Sequence, residues 1–270
     1  MADTSEKRID WDAGAYSKAS NIQKKWGLEL LDKLRLRGDE RLLDIGCGDG
    51  KLSVEIARRL PEGFVVGIDS SQGMISFARE NYPIEKSPNL SWRVMDAREL
   101  DFDTEFDIVF SNAVMHWIFD HLRVLERIKT ALRPGGHVLM QMGGRGNVMD
   151  MGIILSNMIA SDSWRSYFVD FTFPYAFYGP DEYRPWLEQA GLQTIRVELV
   201  DKDMVFEDGK ALAGWIRTTW MPFTERVPED LRETFIDEIV ARYLESHPPG
   251  EDGFLHLAAT RLEVEARKTM

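Results

Sequence analysis

The residues most able to do chemistry form one short run, Asp44-Ile45-Gly46-Cys47-Gly48-Asp49-Gly50. Glycine admits positive φ and lets a ligand touch bare backbone, and a helix beginning directly afterwards offers N–H groups without intrahelical partners. Such a loop can cradle a nucleotide or nucleoside. The dinucleotide fingerprint GxGxxG sets its third glycine one position later than the GxGxG found here. Asp44 and Asp49 also put two carboxylates where a pyrophosphate would be repelled. A phosphate-free ligand carrying positive charge suits the loop better, for example a sulfonium beside an α-ammonium group. Asp69 follows about 20 residues later, where a carboxylate can accept from both ribose hydroxyls. Asp96-Ala97 is placed to read an adenine edge, with Asp96 accepting from the amino group. Taken singly, each feature is also an ordinary turn glycine or helix-capping aspartate.

Further along, His116-Trp117 follows an apolar run and is placed to face a second ligand. His116 is either a general base for a hydroxyl or carbon nucleophile, or a ring fixed by a backbone bond beside a core tryptophan. His116 and His121 do not fall on one helical face, so no metal is assigned.

These residues need a scaffold that brings them together, and the hydrophobic pattern supplies one. Apolar runs alternate with amphipathic stretches, the signature of βα units around a parallel sheet. Strands are expected at 41–45, 64–68, 90–95, 106–110 and 137–142, with a turn at Arg133-Pro134-Gly135-Gly136. Helices are expected at 51–60, 71–81 (capped by Ser70) and 122–132. The glycine run, Asp69 and Asp96 then sit at three consecutive strand C-termini, the ligand edge of an open α/β sheet. After Met142 comes a flexible GGRG break, a helical segment, and an aromatic stretch from Trp164 to Tyr178. A helix from Pro180, a strand over 194–200, helical pieces over 209–247 broken at Pro222 and Pro228, and a strand-like end over 254–266 complete the pattern. The aromatics either pack an insert against the sheet or line an apolar acceptor pocket. Arg145, Arg184 and Arg217 are candidate partners for an acceptor carboxylate.

Composition narrows the function. The 270 residues include 33 basic and 45 acidic side chains, a formal net charge of −12. That balance argues against nucleic-acid binding and against an anionic membrane surface. The single cysteine, Cys47, fits a reducing compartment. No apolar run reaches the roughly 18 residues of a membrane span, and the polar start reads as no signal peptide. A cytoplasmic protein acting on a small molecule, as monomer or homodimer, is expected.

LLDIGCGDG, VVGIDSS, FDIVFSNAVMHW and RPGGHVLM together resemble the motifs of the class I S-adenosylmethionine-dependent methyltransferases. Within them the chain is most similar to the trans-aconitate methyltransferase group, through Trp11-Asp12 with Tyr16, Asn112-Ala113-Val114, Trp117, Asp120-His121-Leu122, Gln141-Met142 and Gly214-Trp215-Ile216. The resemblance implies a Rossmann-like doubly wound seven-stranded α/β sheet, mostly parallel with the last strand antiparallel. A helical, aromatic insert would lie between strands 5 and 6. It implies one domain over 1–270, with an N-terminal helical cap at 1–38 and substrate-side insertions at 143–190 and 207–247. S-adenosyl-L-methionine would be the cofactor and S-adenosyl-L-homocysteine the product.

By the same resemblance, Gly46, Cys47, Gly48 and Gly50 would line the methionine part, and Asp44 would accept from its amino group. Asp69 would hold the ribose, Ser70, Met74, Asp96 and Ala97 would surround the nucleoside, and Tyr16 would close over it. Asn112 would lie beside the transferring methyl, with His116 and Trp117 on the acceptor side. One departure stands out: Thr218-Thr219-Trp220-Met221-Pro222 replaces a Gly-Leu-Arg-Pro run and carries no arginine. A tricarboxylate needs several cationic partners, so the acceptor expected here is a less charged, greasier acid methylated on its carboxylate. The alternatives are a methyltransferase acting on hydroxyl, carbon or nitrogen with His116 as base, a cofactor-binding module without catalysis, and a nicotinamide-dependent oxidoreductase.

Overall fold

A computed structural model describes Gly14 and residues 21–270; Trp11, Asp12 and Tyr16 lie outside the described residues. The core is a seven-stranded sheet in the order β3-β2-β1-β4-β5-β7-β6. Its strands are β1 Arg41–Ile45, β2 Phe64–Asp69, β3 Leu90–Val94, β4 Phe106–Asn112, β5 Leu132–Gly143, β6 Leu192–Phe206 and β7 Leu255–Lys268. β1 to β5 run parallel, and β7 pairs antiparallel with both β5 and β6.

The parallel strands are apolar on both faces because helices cover both sides. Leu43 and Ile45 of β1 pack with Val109 of β4 and Val138 and Met140 of β5 on one side. Leu42, Phe110 and Leu139 pack on the other. Side chains alternate across a strand, so consecutive residues enter opposite layers. A third cluster joins Trp26 to residues of the two long insertions, among them Trp164, Trp215 and Phe235.

Local details differ from the sequence reading where a tertiary partner decides them. The cap of helix Gln72–Asn81 is Ser71, whose hydroxyl accepts from Met74 N–H, and not Ser70. The Arg133–Gly136 turn is a bulge inside β5: Phe106 pairs with Leu132 and Ile108 with His137, which leaves four residues unmatched. β6 runs from Leu192 to Phe206, well beyond the expected 194–200, because β7 supplies ladder partners as far as Phe206↔Leu255. β5 stops pairing with β7 at Gly143↔Arg261. The outer half of the β6–β7 ribbon therefore overhangs the end of the parallel sheet.

Candidate active site

The strand order reverses between β1 and β4, which stay parallel, and the glycine run lies at that switch point, where open α/β sheets hold ligands. Gly46 and Cys47 N–H donate to the Ile68 carbonyl at 2.8 and 2.9 Å, which ties the loop to the end of β2. Gly46 (φ 71°) and Gly50 (φ 83°) are left-handed. A Cβ on Gly46 would stand 2.1 Å from Val114 Cγ2, and one on Gly50 2.6 Å from the Trp92 ring. Backbone approach and backbone twist both require glycine here.

Two acidic side chains are buried in this loop. Asp44 accepts from Ser53 Oγ at 2.6 Å. Burial, with Asp69 adding to it against the Ser53 bond, pushes its carboxyl up to about 7. Asp69 accepts from Gly48 N–H at 3.0 Å and Ser71 N–H at 2.8 Å, and burial raises it despite those bonds. Asp49 caps the start of the next helix by accepting from Lys51 N–H. Cys47 is free and buried, and burial with the Asp69 and Asp44 carboxylates holds its thiol well above its usual range.

The cleft over this loop spans about 460 Å³, open solvent included, and is bounded by Asp44, Gly46, Gly48, Asp49, Asn112 and Gln23. Asn112 Nδ2 donates to the Gln23 carbonyl at 2.9 Å, which ties helix Asn21–Leu31 to the end of β4. Asn112 Oδ1 and Gln23 Oε1 are both buried and have no hydrogen-bond partner among the described residues. Two buried carboxylates, Asp44 and Asp49, and two unsatisfied carbonyl oxygens face the cleft; Lys24 and Lys51 also line it, Lys51 paired with Asp49 at 3.2 Å. Buried acceptors left without donors cost free energy, so the cleft fits a cationic, donor-rich ligand.

Asp96 is at the end of β3, as expected, but its carboxylate already grips the Arg98 guanidinium at 2.7 and 3.0 Å and caps the turn Ala97–Glu99. Ala97 and Met74 are buried, whereas Ser70 is exposed.

A second cavity, about 800 Å³, adjoins the first: Gln23 borders both, and the consecutive residues Asn112 and Ala113 border one each. Its walls are largely aromatic, with Trp117, Phe173, Tyr175, Phe177, Trp215 and Trp220. The aromatic stretch thus divides. Trp164 and Phe168 pack on Phe235 as core, while Phe173, Tyr175 and Phe177 face the cavity. Two non-glycine residues of the wall, Ala113 (φ 61°) and Val148 (φ 48°), are held left-handed. Strain of this kind, of order 1–3 kcal/mol each, gathers at functional sites.

His116 lines this cavity with Nδ1 accepting from Gly143 N–H at 3.3 Å. Burial, with the nearby Arg261 guanidinium adding to it, holds the ring well below the usual histidine range. The ring is neutral, and its proton sits on Nε2. His121 instead belongs to the core, in contact with Tyr183 Oη, and burial takes it down to about 4. Among the described residues no cluster of His, Cys, Asp and Glu could hold a metal, and no helix is long and apolar enough to cross a membrane.

None of the three arginines singled out from the sequence borders the cavity. Arg145 is paired with Asp181 and Glu182, Arg217 with Glu233, and Arg184 donates to the Val197 carbonyl. The cation that does border it is Arg261, which the sequence reading missed. Its signal was phase: on β7, Arg261 alternates in step with the buried Leu255, Leu257 and Ala259.

A family model described as a methyltransferase domain matches residues 36–191. A trans-aconitate 2-methyltransferase of Methylobacterium nodulans is 27% identical over 270 residues, covering 96% of this chain and 99% of that protein. An uncharacterized methyltransferase of Schizosaccharomyces pombe is 30% identical, covering 96% and 98%. Among solved structures, Haemonchus contortus phosphoethanolamine N-methyltransferase 2, bound to phosphomonomethylethanolamine and S-adenosylhomocysteine, superposes with a TM-score of 0.61. It is 22% identical, and the match covers 96% of this chain and 57% of that one. The Bacillus subtilis YcgJ protein gives 0.63 at 16% identity, covering 91% and 99%. At these identities the solved structures speak to the fold alone.

Proposed function

This chain belongs to the methyltransferase-domain family and uses S-adenosylmethionine as its methyl donor; from that premise we propose that it O-methylates the carboxylate of a small, partly apolar organic acid. The residues at the switch point fit the donor, since Asp44 and the unpartnered Asn112 and Gln23 oxygens offer buried acceptors to a ligand with a sulfonium and an ammonium group. In this assignment Asp44 takes the ammonium, and Gly46, Cys47, Gly48 and Gly50 give the methionine part close backbone approach. Asp69 takes the ribose hydroxyls, and Ser70, Met74, Asp96 and Ala97 surround the nucleoside. Asp96 accepts there on lone pairs its Arg98 bonds leave over. Asn112, at the seam of the two cavities, lies beside the transferring methyl; Tyr16, outside the described residues, is assigned to the donor as well.

When bound, S-adenosylmethionine supplies an electrophilic methyl carbon on a sulfonium whose departure leaves a neutral thioether. The chain's own work is to exclude water and to hold an acceptor oxygen in line with that carbon. Trp117 and the facing aromatics form the dry wall, and Ala113 and Asn112 join the two spaces.

One observation carries the choice of acceptor. Among the described residues, the acceptor cavity is lined by no Asp, Glu, Lys or Cys, and the ring of its one histidine is neutral with Nδ1 already bonded. No described side chain of the cavity is poised to remove a proton, which favours an acceptor that arrives already ionised. A carboxylic acid is ionised at neutral pH and needs no base. As the C–O bond forms, the C–S bond breaks, and no proton is released. A hydroxyl, carbon or nitrogen acceptor using His116 as base fits this environment less well. An aromatic-walled cavity adjoining the donor cleft favours catalysis over a purely cofactor-binding role. The working form is a monomer or homodimer in the cytoplasm, where the free Cys47 fits a reducing environment.

The test is a single-turnover reaction with isotope-labelled donor and a panel of acids, alcohols and amines, read by mass spectrometry. Alkali-labile methyl esters are the expected products. Label found only on hydroxyl, nitrogen or carbon acceptors would overturn the proposal.

A further inference from the structure

We infer that Arg261 is the residue that reads the acceptor, and that it selects acids with one carboxylate on an apolar body over acids with several. This rests on the carboxylate reading above and adds its substrate class. Arg261 is 6% exposed and borders the aromatic cavity, where it is the only charged side chain among the described lining residues. Its guanidinium lies over the Trp26 ring at 5.4 Å from the centroid. A guanidinium held near an indole is anchored on its apolar side, and its planar fork can meet a carboxylate with two N–H donors side by side. The strand places it well: Arg261 pairs with Gly143, the last residue of β5, level with the Gly143 amide that holds His116.

The count of charges sets the selectivity. Arg261 matches one carboxylate, while the walls beyond it are mostly aromatic, with Trp117, Phe173, Tyr175, Phe177, Trp215 and Trp220, and the polar Gln23, Asn147 and Thr219 carry no charge. A second or third carboxylate would lie against indole and phenyl rings with no described cation facing it, and buried charge without a partner is strongly disfavoured. Arg145, Arg184 and Arg217 cannot assist from their sites outside the cavity. The acceptor is therefore an aryl or alkyl monocarboxylic acid. Trans-aconitate, named for several relatives, is disfavoured.

The experiment compares the wild type, R261K and R261M with 4-phenylbutyrate, decanoate and trans-aconitate as acceptors, and measures S-adenosylhomocysteine binding by calorimetry. The wild type should methylate at least one monoacid about 100-fold more efficiently than trans-aconitate, and R261M should lose about 100-fold in kcat/KM on it, as removal of one partner of a buried charge pair does. R261K keeps the charge without the fork, and its KM for the monoacid should rise about tenfold while kcat stays within a few-fold. S-adenosylhomocysteine affinity should be unchanged in both variants, which also reports that they are folded. If R261M does not fold, the R261K split of KM from kcat decides. Preference for trans-aconitate, or R261K or folded R261M variants equal to wild type, overturns the inference and leaves carboxylate methylation standing. If no acid is methylated while alcohols or amines are, the carboxylate reading fails first and this inference falls with it.

Discussion

Gly46 and Val114 interlock across the β1–β4 seam, with the Val114 methyls occupying the space a Gly46 side chain would need. This packing joins the donor-binding loop to the strand end that begins the acceptor side. G46A combines a left-handed alanine, about 1–2 kcal/mol, with overpacking of about 1–3 kcal/mol. The melting temperature should fall by several degrees, at about 2–4 °C per kcal/mol for a domain near this size. Adding V114A should recover the packing part and leave the backbone part. A double-mutant cycle by thermal denaturation measures both, and strictly additive effects would contradict the contact.

Asp44 makes donor binding pH-dependent. Its folded carboxyl sits at about 7 against the ordinary 3.8, so the ligand-free fold keeps a proton that the unfolded chain gives up. The stability this contributes is complete below about 4 and is lost as pH rises through about 7. A cationic ligand favours the ionised form. Donor affinity should therefore weaken as pH drops below about 7, and binding near pH 6 should release a proton, seen by calorimetry in buffers of different ionisation enthalpy. D44N should flatten both profiles and weaken the donor by about 10- to 100-fold, the worth of a hydrogen bond to a charged group.

His116 should prove dispensable as a base. In H116N the amide oxygen can replace Nδ1 as acceptor for the Gly143 N–H. Its kcat should stay within about tenfold of wild type, whereas loss of a general base costs about 10²–10⁴. Between pH 6 and 9 the rate should carry no inflection from this ring, because burial and Arg261 hold it uncharged throughout. A loss of 10³ or more, with a new pH dependence, would restore the base.

Asp69 holds two loop amides at once. D69A leaves the Gly48 and Ser71 N–H groups without their acceptor, at about 1–3 kcal/mol for each that stays buried. Both the melting temperature and donor affinity should drop. D69N keeps an acceptor oxygen and should fall between. Affinity unchanged in D69A, measured with S-adenosylhomocysteine, would remove Asp69 from the site.

The donor side was legible in the sequence because its logic is local. A strand, three closely spaced glycines and a following helix dictate a tight left-handed turn at the sheet edge. Asp44 and Asp69 fall at strand ends fixed by apolar runs such as RLLDI and FVVGID. The turn chemistry and strand ends there are set locally, although the contacts that lock them reach Ile68, Trp92 and Val114.

The acceptor side is assembled from segments far apart. Gln23 and Trp26 of the first described helix, Ala113 after β4, Tyr175 in the insert and Arg261 on the last strand meet only in three dimensions. Arg261 looks like any strand arginine until the β6–β7 ribbon turns it inward, and Arg145, Arg184 and Arg217 look equally eligible until their partners are seen. Even Asp96, correctly placed at its strand end, is engaged by an arginine two residues away. Sequence alone determined the parallel sheet and its acidic, glycine-lined edge, because strand periodicity and turn chemistry are short-range. Which cation faces the cavity, and that His116 is neutral there, was decided only by long-range packing, since burial and charge proximity depend on residues the chain order keeps apart.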